Sequence, residues 1–321
     1  MEYEHLIIEK KYPIGYVTIN RPERRNALAA RTLQELREAA DEMRLDPEIR
    51  VFVLKGAGDC FSSGFDIGIS GHDLFSAAQE YPESLEWIKG LEDEVWTRYA
   101  RTGGLLANPE AMPLDTNPNP FQYLWDHPKP SIVQVHSYVL GAGLWIANSC
   151  DITIATPTAV LGYPPPRQGA SVTLGALPPW LMGRKKTLEM AYTGKVITAE
   201  DGLQNGIINH IYPEDTIDEE VYKLAVSIAK IPPITNMFSK RAINNYYSNL
   251  GIDQANRFGT ALNEMTENTL IPGHIQHLNK EIRRIGMREG LKQQYEKYGT
   301  PDEILDAESA RLRSLREKNK K

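Results

Sequence analysis

The chain has 321 residues, enough to bury a sizeable core without disulfide staples, and its two cysteines, Cys60 and Cys150, lie far apart with no Cys-x-x-Cys or Cys/His cluster beside them. A net charge of −6 argues against a general affinity for nucleic acid, while local basic patches stay available to a phosphorylated ligand. The charged N-terminus M-E-Y-E-H-L-I-I-E-K has no apolar core and no apolar run reaches the roughly 18 residues of a membrane span, so a cytoplasmic protein with reduced cysteines is expected.

In chain order, L-I-I-E-K and Y-V-T-I-N alternate apolar and polar residues, which predicts two N-terminal strands around the turn K-Y-P-I-G. From Ala30 to Arg44 the period becomes helical, with Leu33, Leu36, Ala40 and Met43 on one face. V-F-V-L-K-G is a short β-branched run ending in glycine, as in a buried parallel strand. Between Gly71 and Asp126 the rhythm stops, and aromatics, prolines and asparagines accumulate. So long a loop is a lid, a binding segment or disordered. Its stretch Y-P-E-S-L-E-W-I-K-G-L-E-D-E-V-W-T-R-Y predicts an amphipathic helix with Leu85, Ile88, Leu91 and Val95 inside, so a partly helical lid is expected. After Pro130 come a strand (S-I-V-Q-V), a helix start (L-G-A-G-L-W-I-A-N) and another strand (D-I-T-I-A), the rhythm of a layered α/β domain. From Asp218 onward the chain reads as nearly all helix. Its last dozen residues, in a highly charged tail, are expected to fray into solvent.

Four stretches bear on chemistry: N-R-P-E-R-R-N-A-L (Asn20–Leu28), C-F-S-S-G-F-D-I-G (Cys60–Gly68), L-G-A-G-L (Leu140–Leu144) and Y-T-G-K-V-I-T-A-E-D-G-L-Q-N-G-I-I-N (Tyr192–Asn209). Together and in this order they resemble the crotonase superfamily, the enoyl-CoA hydratase/isomerase group, from about Glu4 to Leu250. The resemblance implies an α/β fold of repeated ββα units, with two roughly perpendicular sheets and a C-terminal helical region. It divides the chain into an acyl-CoA-binding core over 1–210, with a lid insertion over about 71–126, and a helical oligomerisation region with a charged tail over 211–321. It also implies a coenzyme A thioester as substrate, no permanently bound cofactor, and a homotrimer or dimer of trimers, with neither nucleic acid nor membrane as partner. Two backbone N–H groups, by motif position those of Phe65 and Ala142, would bind the thioester oxygen as it becomes an enolate. Such an oxyanion hole needs donors about 2.7–3.1 Å from the developing charge, and losing one costs roughly 3–4 kcal/mol. Gly64, Gly141 and Gly143 would keep Cβ atoms clear, and a helix starting near Ala142 would aim its positive dipole end at the anion. The plainer reading is that these glycines only permit tight turns. Ser63, Gly64, Asp66, Ile67 and Gly141 fall in the same binding segments. Arg25, and less so Arg24, lie where the family meets coenzyme A, and Ala27 sits where the backbone meets adenine; a solvated basic turn is the alternative.

The chain departs from the family where hydratases carry two glutamates: the positions hold Trp145 and Pro165, neither of which transfers a proton. Positioned acid–base groups contribute about 10²–10⁴-fold, so ordinary hydration should be disabled unless other groups substitute. Tyr163 and Arg167 flank the second position, each with a structural role as open as a catalytic one, and P-P-P there is expected to hold the segment extended. His136 reads as a satisfied strand-end histidine, Asp66 as ordering its loop, and His72 and Asp73 as able to swing in from the lid. Trp145 with Trp87, Trp96, Tyr99, Phe121, Tyr123 and Trp125 points to a large pocket for a bulky or cyclic acyl group, although aromatics also fill ordinary cores. The expected function is therefore an acyl-CoA enzyme performing isomerisation, decarboxylation, hydrolysis or carbon–carbon cleavage, with atypical hydration also open. The alternative is a non-catalytic acyl-CoA-binding or assembly protein.

Overall fold

β1 (Leu6–Lys11) and β2 (Ile14–Ile19) form the expected antiparallel pair, with Leu6 opposite Ile19 and Lys11 opposite Ile14. The computed structural model describes residues 3–66, 120–168, 171, 174–268 and 303–318, with five isolated residues between 285 and 293. Ile67, His72, Asp73, Trp87, Trp96, Tyr99 and the amphipathic stretch around Leu85 to Val95 lie outside the described residues.

A 3-10 turn at Pro22–Arg24 leads to α1 (Ala30–Leu45), whose Leu33, Leu36, Ala40 and Met43 are all buried as their spacing requires. Below it, Lys129 Nζ donates to Met43 O and Asp46 O, both at 2.6 Å, and so satisfies carbonyls that the helix end leaves unpaired. β3 (Val51–Gly56) buries its first four side chains on alternate faces. Phe52 and Leu54 enter the main core with α1, while Val51 and Val53 join a second core on the other sheet face. When the described chain resumes, α2 (Pro120–Trp125) precedes β4 (Ser131–Val135) and β5 (Tyr138–Leu140). Then follow α3 (Ala142–Ser149), β6 (Ile152–Ala155) and β7 (Val160–Gly162).

A six-stranded sheet has the order β1-β2-β3-β4-β6-β9, parallel from β2 onward, where β9 is His210–Ile211. A three-stranded sheet has the order β5-β7-β8, with β8 spanning Val196–Thr198. In the chain α4 (Pro179–Thr193) precedes β8, and α5 (Ala199–Gln204) follows it. α6 (Ile217–Ala229) closes the second core with Ile217, Val221, Ala225 and Ala229, one per turn. α7 (Pro233–Asn249) and α8 (Ile252–Asn268) complete the helical region, and α7 buries no residue in the single chain. No helix among the described residues is long and apolar enough to cross a membrane.

Two expectations fail. The segment around P-P-P is not extended: Pro165–Gln168 forms a 3-10 turn. A proline φ near −65° suits a first helical turn as well as an extended chain, and its missing N–H is not needed there. The tail does not fray, because Glu303–Lys318 forms α9, packed on the smaller sheet with Leu312 only 1% exposed. Ile304 and Leu305 pack beside it, Glu308 on the same face is buried and paired with Ser137 and Arg311, and Arg316 donates to Asp59 at 2.8 Å. The last dozen residues are thus mostly part of the folded unit.

Candidate active site

The two glycine-bearing segments meet. An ideal Cβ on Gly64 would lie 3.0 Å from Leu140 O, 3.5 Å from Ala142 N and 3.6 Å from Gly141 Cα. Gly64 (φ +99) and Gly141 (φ +55) both adopt backbone that side-chain-bearing residues rarely take, and their missing side chains open the space between the segments.

The peptide planes then fix where the N–H groups point. Gly64 O accepts from Leu28 N at 2.8 Å, and in a trans peptide the following N–H, that of Phe65, must point the opposite way. Gly141 O accepts from Trp145 N at 3.2 Å, so the Ala142 N–H points backward out of the α3 N-terminus. Neither amide has an acceptor among the described residues. The first turn of α3 adds the positive end of its dipole. Two such donors beside closely facing glycines are suited to negative charge.

The neighbouring segment is held by charge pairs. Asp66 is 6% exposed and forms ion pairs with Arg21 and Arg24, each at 3.0 Å, the second also a hydrogen bond from Arg24. Burial pulls its carboxyl upward, yet the two guanidinium partners outweigh that and set it below the ordinary range. Asp66 therefore orders its loop, and Arg24 is engaged there. Arg25 sits at φ +54 with its guanidinium carbon 5.4 Å from the Tyr138 ring centre. Among the described residues it pairs with no carboxylate, which leaves it available to a phosphate. Ser63 N donates to Arg25 O at 3.0 Å, and the buried Ala27 gives its carbonyl to Arg21.

Trp145 is 8% exposed and stacks on Phe121 at 4.1 Å with 6° between the rings, and Phe65 meets Phe121 edge-on at 6.3 Å. Trp145 thus belongs to a packed aromatic cluster. Tyr123 and Trp125 turn elsewhere: Tyr123 OH donates to Asp41, and Trp125 meets Tyr247 edge-on. Tyr163 is buried in the main core with its interactions made, and Pro165 and Arg167 lie in the 3-10 turn. His136 Nε2 lies 2.9 Å from Gly58 O, and burial holds the imidazole below its usual pKa, so it stays a neutral strand-end histidine. Cys60 and Cys150 are free and buried, and burial pushes both thiols up to about 12, which makes them inert near neutrality.

Sequence reasoning missed Asn26 and Ser62, both fully buried between these segments. Asn26 carries a weak local signal, since asparagine tolerates positive φ in turns. Nothing in the motif itself marks Ser62.

Fold and site together define an α/β protein with paired main-chain donors at a glycine-lined gap. The profile of the enoyl-CoA hydratase/isomerase family matches residues 9–88 and 102–277, and the chain belongs to that family of enzymes. It is 25% identical over 255 residues to a protein of Mycobacterium bovis named a probable enoyl-CoA hydratase, echA8, covering 77% of this chain and 84% of that one. YngF of Bacillus subtilis, which carries the family's name, is 29% identical over 275 residues, covering 83% and 90%. The crystal structure of an enoyl-CoA hydratase/isomerase from Xanthobacter autotrophicus Py2 superposes with a TM-score of 0.74 at 26% identity, covering 94% of this chain and all of that one. The architecture is the crotonase fold.

Proposed function

We propose that the chain binds a coenzyme A thioester and gathers enolate charge on its carbonyl oxygen between Phe65 N and Ala142 N. The observation that carries this reading is the pair of unengaged amides, directed by their own peptide planes from two segments whose glycines touch. Arg25 is the residue placed to meet the coenzyme's phosphates.

The chemistry we favour is not ordinary hydration. Hydration needs positioned proton carriers, and the two family positions hold a stacked Trp145 and Pro165. Isomerisation, decarboxylation, hydrolysis and carbon–carbon cleavage all draw on the same anion hole and differ in their proton traffic. A bulky or cyclic acyl group remains part of the proposal through Phe121 and Trp145. We also propose self-assembly as a homotrimer or dimer of trimers: α7 and α8 expose Phe238, Tyr246 and Phe258 at 57–65%, an apolar face of the kind that a second copy covers.

A panel of acyl-CoAs followed by mass spectrometry tests the enzyme reading, with Ala142→Pro as control. Proline is favoured at a first helical position, so this change removes the N–H with little disturbance of α3. Product formed by the wild type and lost in the control is the expected result. Binding without product across the panel would support an acyl-CoA-binding protein instead.

A further inference from the structure

We infer that Ser62, backed by Asn26, is a positioning residue that aims the Phe65 N–H and sets its distance from the Ala142 N–H. This rests on the acyl-CoA reading above. The direction of the Phe65 amide depends on the two dihedrals of Gly64, a residue with no side chain to restrain them. Hydrogen bonds grip it on both sides of its Cα. Gly64 N donates to Ser62 Oγ at 3.2 Å, and Gly64 O accepts from Leu28 N at 2.8 Å. The first bond restrains φ and the second ψ.

Ser62 is itself immobile. Its hydroxyl donates to Asn26 O at 2.8 Å, so its single proton and a lone pair are both in use. Asn26 is anchored in turn: Oδ1 accepts from Arg21 N at 2.8 Å, and Nδ2 donates to Ala57 O at 2.7 Å and Cys60 O at 2.8 Å. Both residues are 0% exposed, which makes each of these bonds costly to lose.

The same serine faces the other amide. Ser62 N donates to Tyr138 O at 2.8 Å and Ser62 O accepts from Leu140 N at 3.1 Å, which ties it to the strand that ends just before Gly141. A Cβ on Gly143 would fall 2.8 Å from Ser62 Cβ, so the start of α3 rests directly on this side chain. One buried residue therefore orients one donor and spaces it from the second. A displacement of about 1 Å in a reacting geometry costs up to roughly 10²-fold, so such bracing matters to catalysis.

The test reads carbonyl polarisation without turnover. Butyryl-CoA labelled with ¹³C at its carbonyl is saturated and has no double bond to hydrate or isomerise. Two N–H donors lower the frequency of the bound C=O stretch, which infrared difference spectroscopy detects. The wild type is expected to move the band down. Ser62→Ala is expected to bind coenzyme A unchanged, melt cooperatively, and leave the butyryl-CoA band between the free and wild-type positions. Ser62→Cys keeps the side chain's shape with a somewhat larger atom that is a weaker donor and acceptor, and should give an intermediate band. A wild-type band in Ser62→Ala, or in Ser62→Cys should the alanine variant not fold, overturns the positioning role. A wild type that leaves the carbonyl band unmoved defeats the acyl-CoA reading itself, and this inference with it.

Discussion

Gly64→Ala separates a catalytic role for the glycines from their role as turn formers. At φ +99 an L-residue is strained by on the order of 1–3 kcal/mol. The added Cβ would stand 3.0 Å from Leu140 O, a backbone atom with no flexible side chain to yield, so the loop must retreat by a few tenths of an ångström. It would also stand 3.5 Å from Ala142 N, inside the gap that a thioester oxygen would occupy. Retreat turns the Phe65 N–H away, and losing one such donor removes roughly 3–4 kcal/mol of transition-state stabilisation, about 10²–10³-fold in turnover. Each kcal/mol of strain lowers Tm by about 2–4 °C in a chain of this size. The assay pairs thermal melting with turnover of the thioester that the acyl-CoA panel identifies. A Tm lowered by a few degrees with turnover reduced at least tens of times is expected. A lowered Tm with wild-type turnover would refute the anion hole and leave the glycine as a turn residue alone.

Two stability predictions test the surrounding frame. His127 is 1% exposed between Ala40 O and Lys129 O, and burial lowers its pKa to about 4. With the folded value below the unfolded one near 6.5, its contribution is complete above about pH 6.5 and is lost as pH falls towards 4, on the order of 3 kcal/mol in all. Denaturant titrations from pH 7 to pH 4 should show this loss in the wild type and a shallower one in His127→Phe; equal slopes would reject it. Leu312→Ala should cost about 2–5 kcal/mol, since α9 seats this side chain in the third core. An unchanged urea midpoint would mean that the C-terminal helix does not pack in solution.

The elements set by one repeating pattern were the legible ones. Leu33, Leu36, Ala40 and Met43 announce their buried face because a helix returns to it each turn, and β3 divides its residues between two cores because a strand alternates. The facing glycine motifs were legible through family resemblance, which places two distant segments together as no local period does. Asn26 and Ser62 were not legible, because their roles lie in hydrogen bonds between segments some thirty residues apart. Helix α9 was expected, but its end was misread as frayed on its charge, although Leu305 and Leu312 stand seven residues apart around Glu308, one face of a helix. Their partners, Cys60, Tyr138 and Val196, come from three separate parts of the chain.

On the reading proposed above, in which Trp145 stands at a family glutamate position, the remaining question is whether one residue was replaced or a whole environment. If Trp145 were a single replacement in a site still built for hydration, Trp145→Glu would restore a carboxylate where the family keeps one. The packing argues otherwise. That side chain is 8% exposed against the face of Phe121, which is 1% exposed, and no cationic side chain among the described residues is shown to pair with it. A glutamate in such surroundings is pushed up in pKa by desolvation and stays protonated. Raised above its unfolded value near 4.3, the carboxyl penalises folding increasingly as pH rises from there through the folded value. Trp145→Glu should therefore unfold more easily at pH 7 than at pH 4.5 relative to the wild type, and should not hydrate crotonyl-CoA. Hydration gained by this one change, measured as loss of the enoyl absorbance, would show that the polar environment persists and that the aromatic stack is incidental. Its absence, together with the pH-dependent destabilisation, would tie the chemistry proposed above to the whole Phe65–Phe121–Trp145 cluster.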